Sequence, residues 1–531
     1  MRTVLKIISV IVLILGVLIA LNITKIKRLM TVNSLFDQDK IVQNFSHMDA
    51  AFLHHDLMVG PSKTWPESIK SLPQTVEIAG EERKLLDVLD ELETTSLVII
   101  KDGKLIHESY YKGTTRDDLR ISWSVAKSFM SGLYGNAIAN GQIESLNDPV
   151  EKYVPSLIGS AYEGVSLANV LNMSSGVRFN EDYMDPKSDI NDMGRVLGLG
   201  GSMDKYAASL SERDYEAGTG WQYVSIDTHV AAMALRAATG KSLHKLFEET
   251  YGEKLGFGKA PYYLTDGKDV AFALGGLNLR TRDYAKFGQL FLQNGEWEGE
   301  QIIPAEWVGE STTNHSPIFH PDRGTGYGYQ WWVPMPQKGP NAGDYFAVGI
   351  YGQYIYVNPQ ANLVIAKNAA HRTFEKNGKS GQTSINDNID MFRSLAAFYT
   401  SKPDYDAELA AELGADEYGM KPYVMAVLLT GEAVISDEKE RSEIFRGHFA
   451  NMKRLADEKK LVLSGPFIEG GNKRGLYIFN VETIEEAKAL VQTDPAVAAG
   501  IFTPEFTKYY GSAALMQVGE THLKIQKSIV E

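Results

Sequence analysis

The segment Ile121-Ser122-Trp123-Ser124-Val125-Ala126-Lys127-Ser128-Phe129 constrains this chain more than any other. Ser124 and Lys127 form an S-x-x-K pair, and in the first turn of a helix residues three apart share a face, so the lysine nitrogen reaches the hydroxyl oxygen. A lysine buried there is pushed toward its neutral form and takes the serine proton, giving a nucleophile without a histidine. The spacing alone is common: Ser202 and Lys205, Ser242 and Lys245, and Ser436 and Lys439 repeat it. Setting distinguishes Ser124. Leu97-Val98-Ile99-Ile100, Asp102-Gly103 and Leu105-Ile106 before it predict a β-hairpin whose turn needs the positive φ that Asp-Gly tolerates. Phe129, Met130, Leu133, Ile138 and Ala139 after it predict a buried helix. A serine at the start of that helix sits at its positive dipole end, where an oxyanion is stabilised. The chain therefore reads as a serine acyl-transfer enzyme.

A length of 531 residues suggests two or three domains, and 44% hydrophobic residues supply sizeable cores. The net charge of −14 argues against nucleic acid as a partner, because binding phosphates needs clustered Lys and Arg. Cysteine is absent, which removes disulfides, thiol nucleophiles and cysteine-ligated zinc. No metal and no cofactor is expected.

Residues 4–23 are almost wholly aliphatic, long enough to span a bilayer as a helix, and no small-x-small cleavage site follows them. An uncleaved N-terminal transmembrane anchor is expected over residues 1–30. Arg2 and Lys6 precede the apolar run and Lys25, Lys27 and Arg28 follow it, so charge counting leaves the orientation open. An anchor carries the expectation of a periplasmic or extracytoplasmic catalytic domain. Residues 31–73 show no period and read as a connecting arm that packs onto the next domain. The adjacent His54 and His55 on it are read as surface or packing residues rather than ligands. A hydrolase domain is expected over residues 74–400, an acidic linker over 401–418 and a second domain over 419–531.

Further motifs follow the S-x-x-K helix in order. Leu171-Asn172-Met173-Ser174-Ser175-Gly176 ends an amphipathic run, and Asn180-Glu181-Asp182-Tyr183-Met184-Asp185-Pro186 is a polar loop whose Tyr183 can face a cleft. Gly220-Trp221-Gln222-Tyr223-Val224-Ser225 places a tyrosine before a helical run; set against the Ser–Lys pair, it can relay a proton to a leaving group. Tyr356-Val357-Asn358 also fits Y-x-N but reads as an ordinary strand end. Gly275-Gly276-Leu277, Tyr327-Gly328-Tyr329-Gln330-Trp331-Trp332 and two predicted strands, residues 346–357 and 363–367, complete the set.

In this order, over residues 97–399, the motifs resemble the β-lactamase-related serine hydrolases. That superfamily includes class C β-lactamases, D-aminopeptidases, esterases and 6-aminohexanoate-dimer hydrolase, and Asn-Glu-Asp-Tyr-x-Asp-Pro with Gly-Ile-Tyr-Gly-Gln is most similar to the last branch. The resemblance implies an α/β β-lactamase/transpeptidase-like domain, an antiparallel sheet with a helical subdomain. It implies Ser124 as acylated nucleophile, Lys127 as base, Tyr223 as proton relay, and Tyr183, Ser225, Ile350, Tyr351 and Gly352 on the substrate side. The oxyanion would rest on the N–H groups of Ser124 and of Ile350 or Tyr351. One departure matters: Ile350-Tyr351-Gly352 stands where the lactamases have Lys-Thr-Gly, and Lys379-Ser380-Gly381 lies too late in the chain to replace it. Without that cation a β-lactam carboxylate loses its partner. A small linear amide or ester is the expected substrate. A non-catalytic penicillin-binding-like sensor and a true β-lactamase or D-peptidase are the alternatives.

After the linker, strands and helices alternate as βαββαβ, implying a ferredoxin-like α+β domain. Leu461-Val462-Leu463-Ser464-Gly465-Pro466-Phe467 and Thr493-Asp494-Pro495-Ala496 resemble YCII-related domains, which implies a module able to dimerise, with His448 and Asp494 as its polar pair; read from the residues alone, His448 is first a satisfied structural histidine.

Overall fold

The computed structural model describes residues 23, 26–317, 325–334, 341–372, 381–400, 406–469 and 471–527. The expected anchor lies outside the described residues except for Ile23, and no helix among the described residues is long and apolar enough to cross a membrane. Two compact units divide the chain, residues 1–401 and 402–531.

A seven-stranded antiparallel sheet organises the first unit. Its strands lie in the order Thr325–Tyr327, Trp332–Pro334, Tyr345–Gly349, Gln353–Asn358, Leu363–Ala369, Thr94–Lys101, Lys104–Tyr110. Late and early segments close it, with Val364 opposite Ile100 and Ala366 opposite Val98. Both faces are covered. Val98, Ile100, Ile355, Val357 and Val364 face a large core shared with the helix Ala126–Ala139, while Leu97, Ile99, Tyr354, Leu363 and Ile365 face a smaller core with Phe392 and Leu395 of the helix Gly381–Thr400. Double burial explains why these strands read as continuous apolar runs without alternation. Asp102 and Gly103 turn the first hairpin at φ 52° and 72°, as the sequence predicts.

One segment folds differently from the sequence expectation. Residues 346–357 form not one strand but parts of two, Tyr345–Gly349 and Gln353–Asn358, because Tyr351 and Gly352 turn the chain at φ 64° and 89°. The arm, residues 31–73, packs onto the domain: Leu35, Ile41, Phe45, Met48 and Trp65 are buried in the large core. Its strand Leu53–Asp56 pairs with Tyr262–Thr265 at the edge of a four-stranded sheet. Its apolar residues show no period because each packs against a different element.

The second unit has the βαββαβ order, with strands arranged Leu461–Pro466, Lys473–Phe479, Met420–Thr430, Phe502–Ser512 and all pairings antiparallel. Val424, Ala426, Leu455, Phe479, Ala487 and Val491 fill its core between the sheet and the helices Glu438–Asp457 and Ile484–Val491. The described part of the expected acidic linker carries a short helix, Ala407–Leu413, capped by Asp406 and ended by Gly414 at φ 68°.

Candidate active site

Ser124 lies in a single 3-10 turn, Trp123–Val125, that runs directly into the helix Ala126–Ala139. The residue before it, Trp123, is held at φ 42°, a left-handed conformation costly for a bulky side chain, so packing must enforce it. That packing is aromatic: the Trp123 ring lies 5.7 Å from Tyr351, 6.3 Å from Phe36 and 5.6 Å from Phe45.

Lys127 occupies the first turn of the helix, and its Nζ lies 2.9 Å from Ser124 Oγ, 3.0 Å from Leu274 O and 3.3 Å from Ser225 Oγ. The lysine is 1% exposed. Burial lowers its pKa to about 7, while Glu181 and Asp227 pull in the opposite direction. A neutral amine keeps two N–H groups for the Leu274 carbonyl and the Ser225 hydroxyl, which leaves its lone pair aimed at Ser124. Two of the rival S-x-x-K matches do something else with the same spacing. Ser202 and Ser242 are helix N-caps, accepting from the backbone N–H of Lys205 and Lys245, so their lysines stand where the cap requires only an N–H.

Tyr223 lies just before the helix Ser225–Thr239, its ring centroid 5.2 Å from Lys127 Nζ. Its phenol interacts with the Ser124 hydroxyl, and burial raises its pKa, so it stands protonated beside that serine. Trp332 stacks on the ring at 5.6 Å and Tyr327 meets it edge-on. These aromatics come from the Tyr-Gly-Tyr-Gln-Trp-Trp motif, which is tied to the nucleophile helix. Ser128 donates to the Gln330 carbonyl and Ser131 to the Tyr329 carbonyl, while the Gln330 side chain receives Thr228 and donates to Leu171 O.

Ser225 joins the base to the polar loop. Its N–H donates to Glu181 Oε2 at 3.0 Å and its hydroxyl to Glu181 Oε1, which also accepts from the Tyr183 phenol at 2.8 Å. Burial raises the Glu181 pKa and Lys127 opposes that rise. Glu181 thus belongs to the site, although nothing in the sequence separates it from Asp182 and Asp185 beside it. Tyr183 is half-buried and held by Glu181 rather than free in a cleft. Asp227 is a second carboxyl the sequence does not single out. It is fully buried, accepts from Tyr162 at 2.7 Å and Ser175 at 2.8 Å, and burial raises its pKa to about 8.

The turn Ile350-Tyr351-Gly352 reaches the same place because Gly349 lacks a side chain: a Cβ there would lie 2.4 Å from the Ser122 carbonyl. Gln353 braces the turn, donating to Tyr351 O and Ala369 O at 3.1 and 2.9 Å. Of Lys379-Ser380-Gly381, the first two lie outside the described residues and Gly381 begins a helix. Tyr356 of the rival Y-x-N match is buried in the smaller core and donates to Asp344.

In the second unit His448 Nδ1 and Asp494 Oδ2 are 2.8 Å apart, and Tyr477 donates to the same oxygen at 3.0 Å. Asp494 also receives the N–H of Ala496 at the head of a helical turn. Among the described residues one other group brings metal-ligating side chains together, His55, His244 and Asp269.

The beta-lactamase family model matches residues 83–387 and the YCII-related domain model residues 424–504. The 6-aminohexanoate-dimer hydrolase of Paenarthrobacter ureafaciens is 30% identical over 292 residues, covering 52% of this chain and 73% of that protein. The uncharacterized protein YjpA of Bacillus subtilis is 33% identical over 81 residues, covering 15% of this chain and 85% of its own length. A structure from Bacillus anthracis described as a 6-aminohexanoate-dimer hydrolase aligns with TM-score 0.62 at 24% identity, covering 70% of this chain and 97% of that one, and shows the same fold. The chain belongs to the beta-lactamase family, is a serine hydrolase, and carries a YCII-related domain at its C-terminus.

Proposed function

We propose that this hydrolase cleaves a small linear amide or ester through an acyl-enzyme formed on Ser124. The observation that carries the reading is the buried Lys127 amine, 2.9 Å from Ser124 Oγ with a pKa lowered to about 7. In acylation, Lys127 takes the Ser124 proton as Oγ attacks the substrate carbonyl carbon. The N–H groups of Ser124 and Ile350 hold the oxyanion. The carbonyl reforms as the leaving amine or alkoxide departs with a proton from the Tyr223 phenol, which Lys127 re-protonates. Water then attacks the ester, its proton passing to Lys127, and Ser124 leaves with a proton as the acid is released.

Amide and ester substrates are favoured over β-lactams because Ile350-Tyr351-Gly352 offers no cation to a β-lactam carboxylate. The activity named for the Paenarthrobacter relative supports that choice. A fluorophosphonate probe tests the acyl-enzyme: the intact protein should label and Ser124→Ala should not. Equal labelling of both, or none of the intact protein, would overturn the enzymatic reading. Efficient nitrocefin turnover would restore the β-lactam reading. A panel of p-nitrophenyl esters, D-amino-acid amides and linear amide oligomers identifies the acyl group.

The same proposal places the enzyme on a membrane through residues 4–23, with the catalytic domain outside the cytoplasm. The unbroken aliphatic run supports it, and release of a variant lacking residues 1–30 from the membrane fraction tests it. Homodimerisation through the second unit completes the proposal. Resemblance to YCII-related modules supports it, and sedimentation of the chain with and without residues 419–531 tests it.

A further inference from the structure

Strand alternation separates the two adjacent histidines of the N-terminal segment. On Leu53–Asp56, His54 turns toward Tyr262, at 5.4 Å between rings. His55 turns instead toward the helix Leu243–Phe247, where its ring stacks on His244 at 4.1 Å and 6°. Asp269, in the turn after Tyr262–Thr265, closes the group: its carboxylate lies 3.0 Å from His55 Nδ1. One ligand-type atom from each of the three residues lies within 4.8 Å of the others.

His244 is the informative member. Its side chain is 3% exposed, yet its Nε2 has no hydrogen-bond partner. Buried ring nitrogens of histidine are ordinarily paired, so an orphan one among other ligand atoms points to a partner that is not a protein group. The Arg236 guanidinium, which would oppose a cation nearby, is paired with Asp204 at 2.7 Å.

We propose that His55, His244 and Asp269 form a site for a divalent transition metal of the zinc class, independent of the Ser124 chemistry. Two imidazoles and one carboxylate suit zinc and its neighbours and not calcium or magnesium, which take oxygen ligands. Water fills the remaining position. The parallel stack is the metal-free packing. Bonds of about 2.0–2.1 Å to both rings require them to tilt apart, and the half-buried His55 and exposed Asp269 supply that movement while the buried His244 stays fixed. A bound ion clips the N-terminal strand to the helix Leu243–Phe247 and to the turn at Asp269, three elements far apart in sequence. It therefore acts as a staple for the segment that packs Phe36 and Phe45 beside the nucleophile turn.

The test uses the full chain stripped with chelator and titrated with Zn²⁺ and, in parallel, Co²⁺. One ion per chain, a Zn²⁺-dependent rise in Tm and Co²⁺ absorption bands in the visible are expected. His55→Ala, at a half-buried position, and Asp269→Asn, at an exposed one, should each weaken Zn²⁺ binding at least about tenfold and remove the bands. Both should keep wild-type fluorophosphonate labelling at Ser124, which shows that they fold. No binding by the intact chain, or an unchanged titration in the His55→Ala/Asp269→Asn double variant, overturns the site.

Discussion

Glu181 holds Ser225 twice, through its backbone N–H at 3.0 Å and through its hydroxyl, and that hydroxyl lies 3.3 Å from Lys127 Nζ. The polar loop of Tyr183 is thereby coupled to the base. The arrangement orients the amine and sets its charge state together, because the Glu181 carboxylate raises the Lys127 pKa against the effect of burial.

Glu181→Gln should therefore shift the Lys127 titration downward. The acidic limb of kcat/KM moves to lower pH, and the plateau rate falls because Ser225 loses a strong acceptor. A pH profile of the variant checks both; an unmoved limb would show that Glu181 only positions the loop.

The unmodified enzyme should gain activity as Lys127 deprotonates, with a limb near pH 7 in kcat/KM. Lys127→Ala should abolish acylation at neutral pH. A flat profile from pH 5 to 9, or substantial residual activity in Lys127→Ala, would point to a different base.

Tyr223→Phe removes the leaving-group proton donor but leaves the Ser124 and Lys127 geometry intact. Amide turnover should fall by about 10²–10⁴-fold. A p-nitrophenyl ester, whose leaving group departs without a proton, should lose much less. Equal losses on the two substrates would argue that Tyr223 orients the site instead.

Asp227 links the site to stability. Its pKa is raised to about 8 in the folded chain, above the usual carboxylate value, so the folded state holds a proton that the unfolded state has released. Its contribution favours folding at low pH and is lost as pH rises toward 8. Asp227→Asn mimics the protonated form, and its Tm relative to the parent should rise steadily between pH 5 and 8, by an amount equivalent to at least about 1 kcal/mol. Thermal unfolding across that range measures it; a constant difference would place the ionisation elsewhere.

Local chemistry made part of this protein legible from its residues. Asp102-Gly103 favours a hairpin turn because few other pairs accept two positive φ values, and the apolar spacing of Phe129, Met130, Leu133, Ile138 and Ala139 suits a buried helix. The βαββαβ order of the second unit follows from alternating periods and turn signals. Ser124 stands out from its rivals by the order of motifs around it, an order that places Tyr223 and the Ile350 turn within reach.

Contacts between distant segments were decided only by the tertiary structure. Glu181 meets Ser225 across 44 residues, and His55 meets Asp269 across 214. No periodicity encodes such meetings, since each depends on how several elements pack rather than on neighbours in the chain. The N-terminal segment is read as an arm for the same reason: Phe36 and Phe45 carry no pattern, and only the closed fold brings them against Trp123. What the residues alone determine is which groups carry the chemistry and in what order. What packing decides is that Lys127 is buried, held beside Ser124 and lowered in pKa, because desolvation exists only once the chain has closed around it.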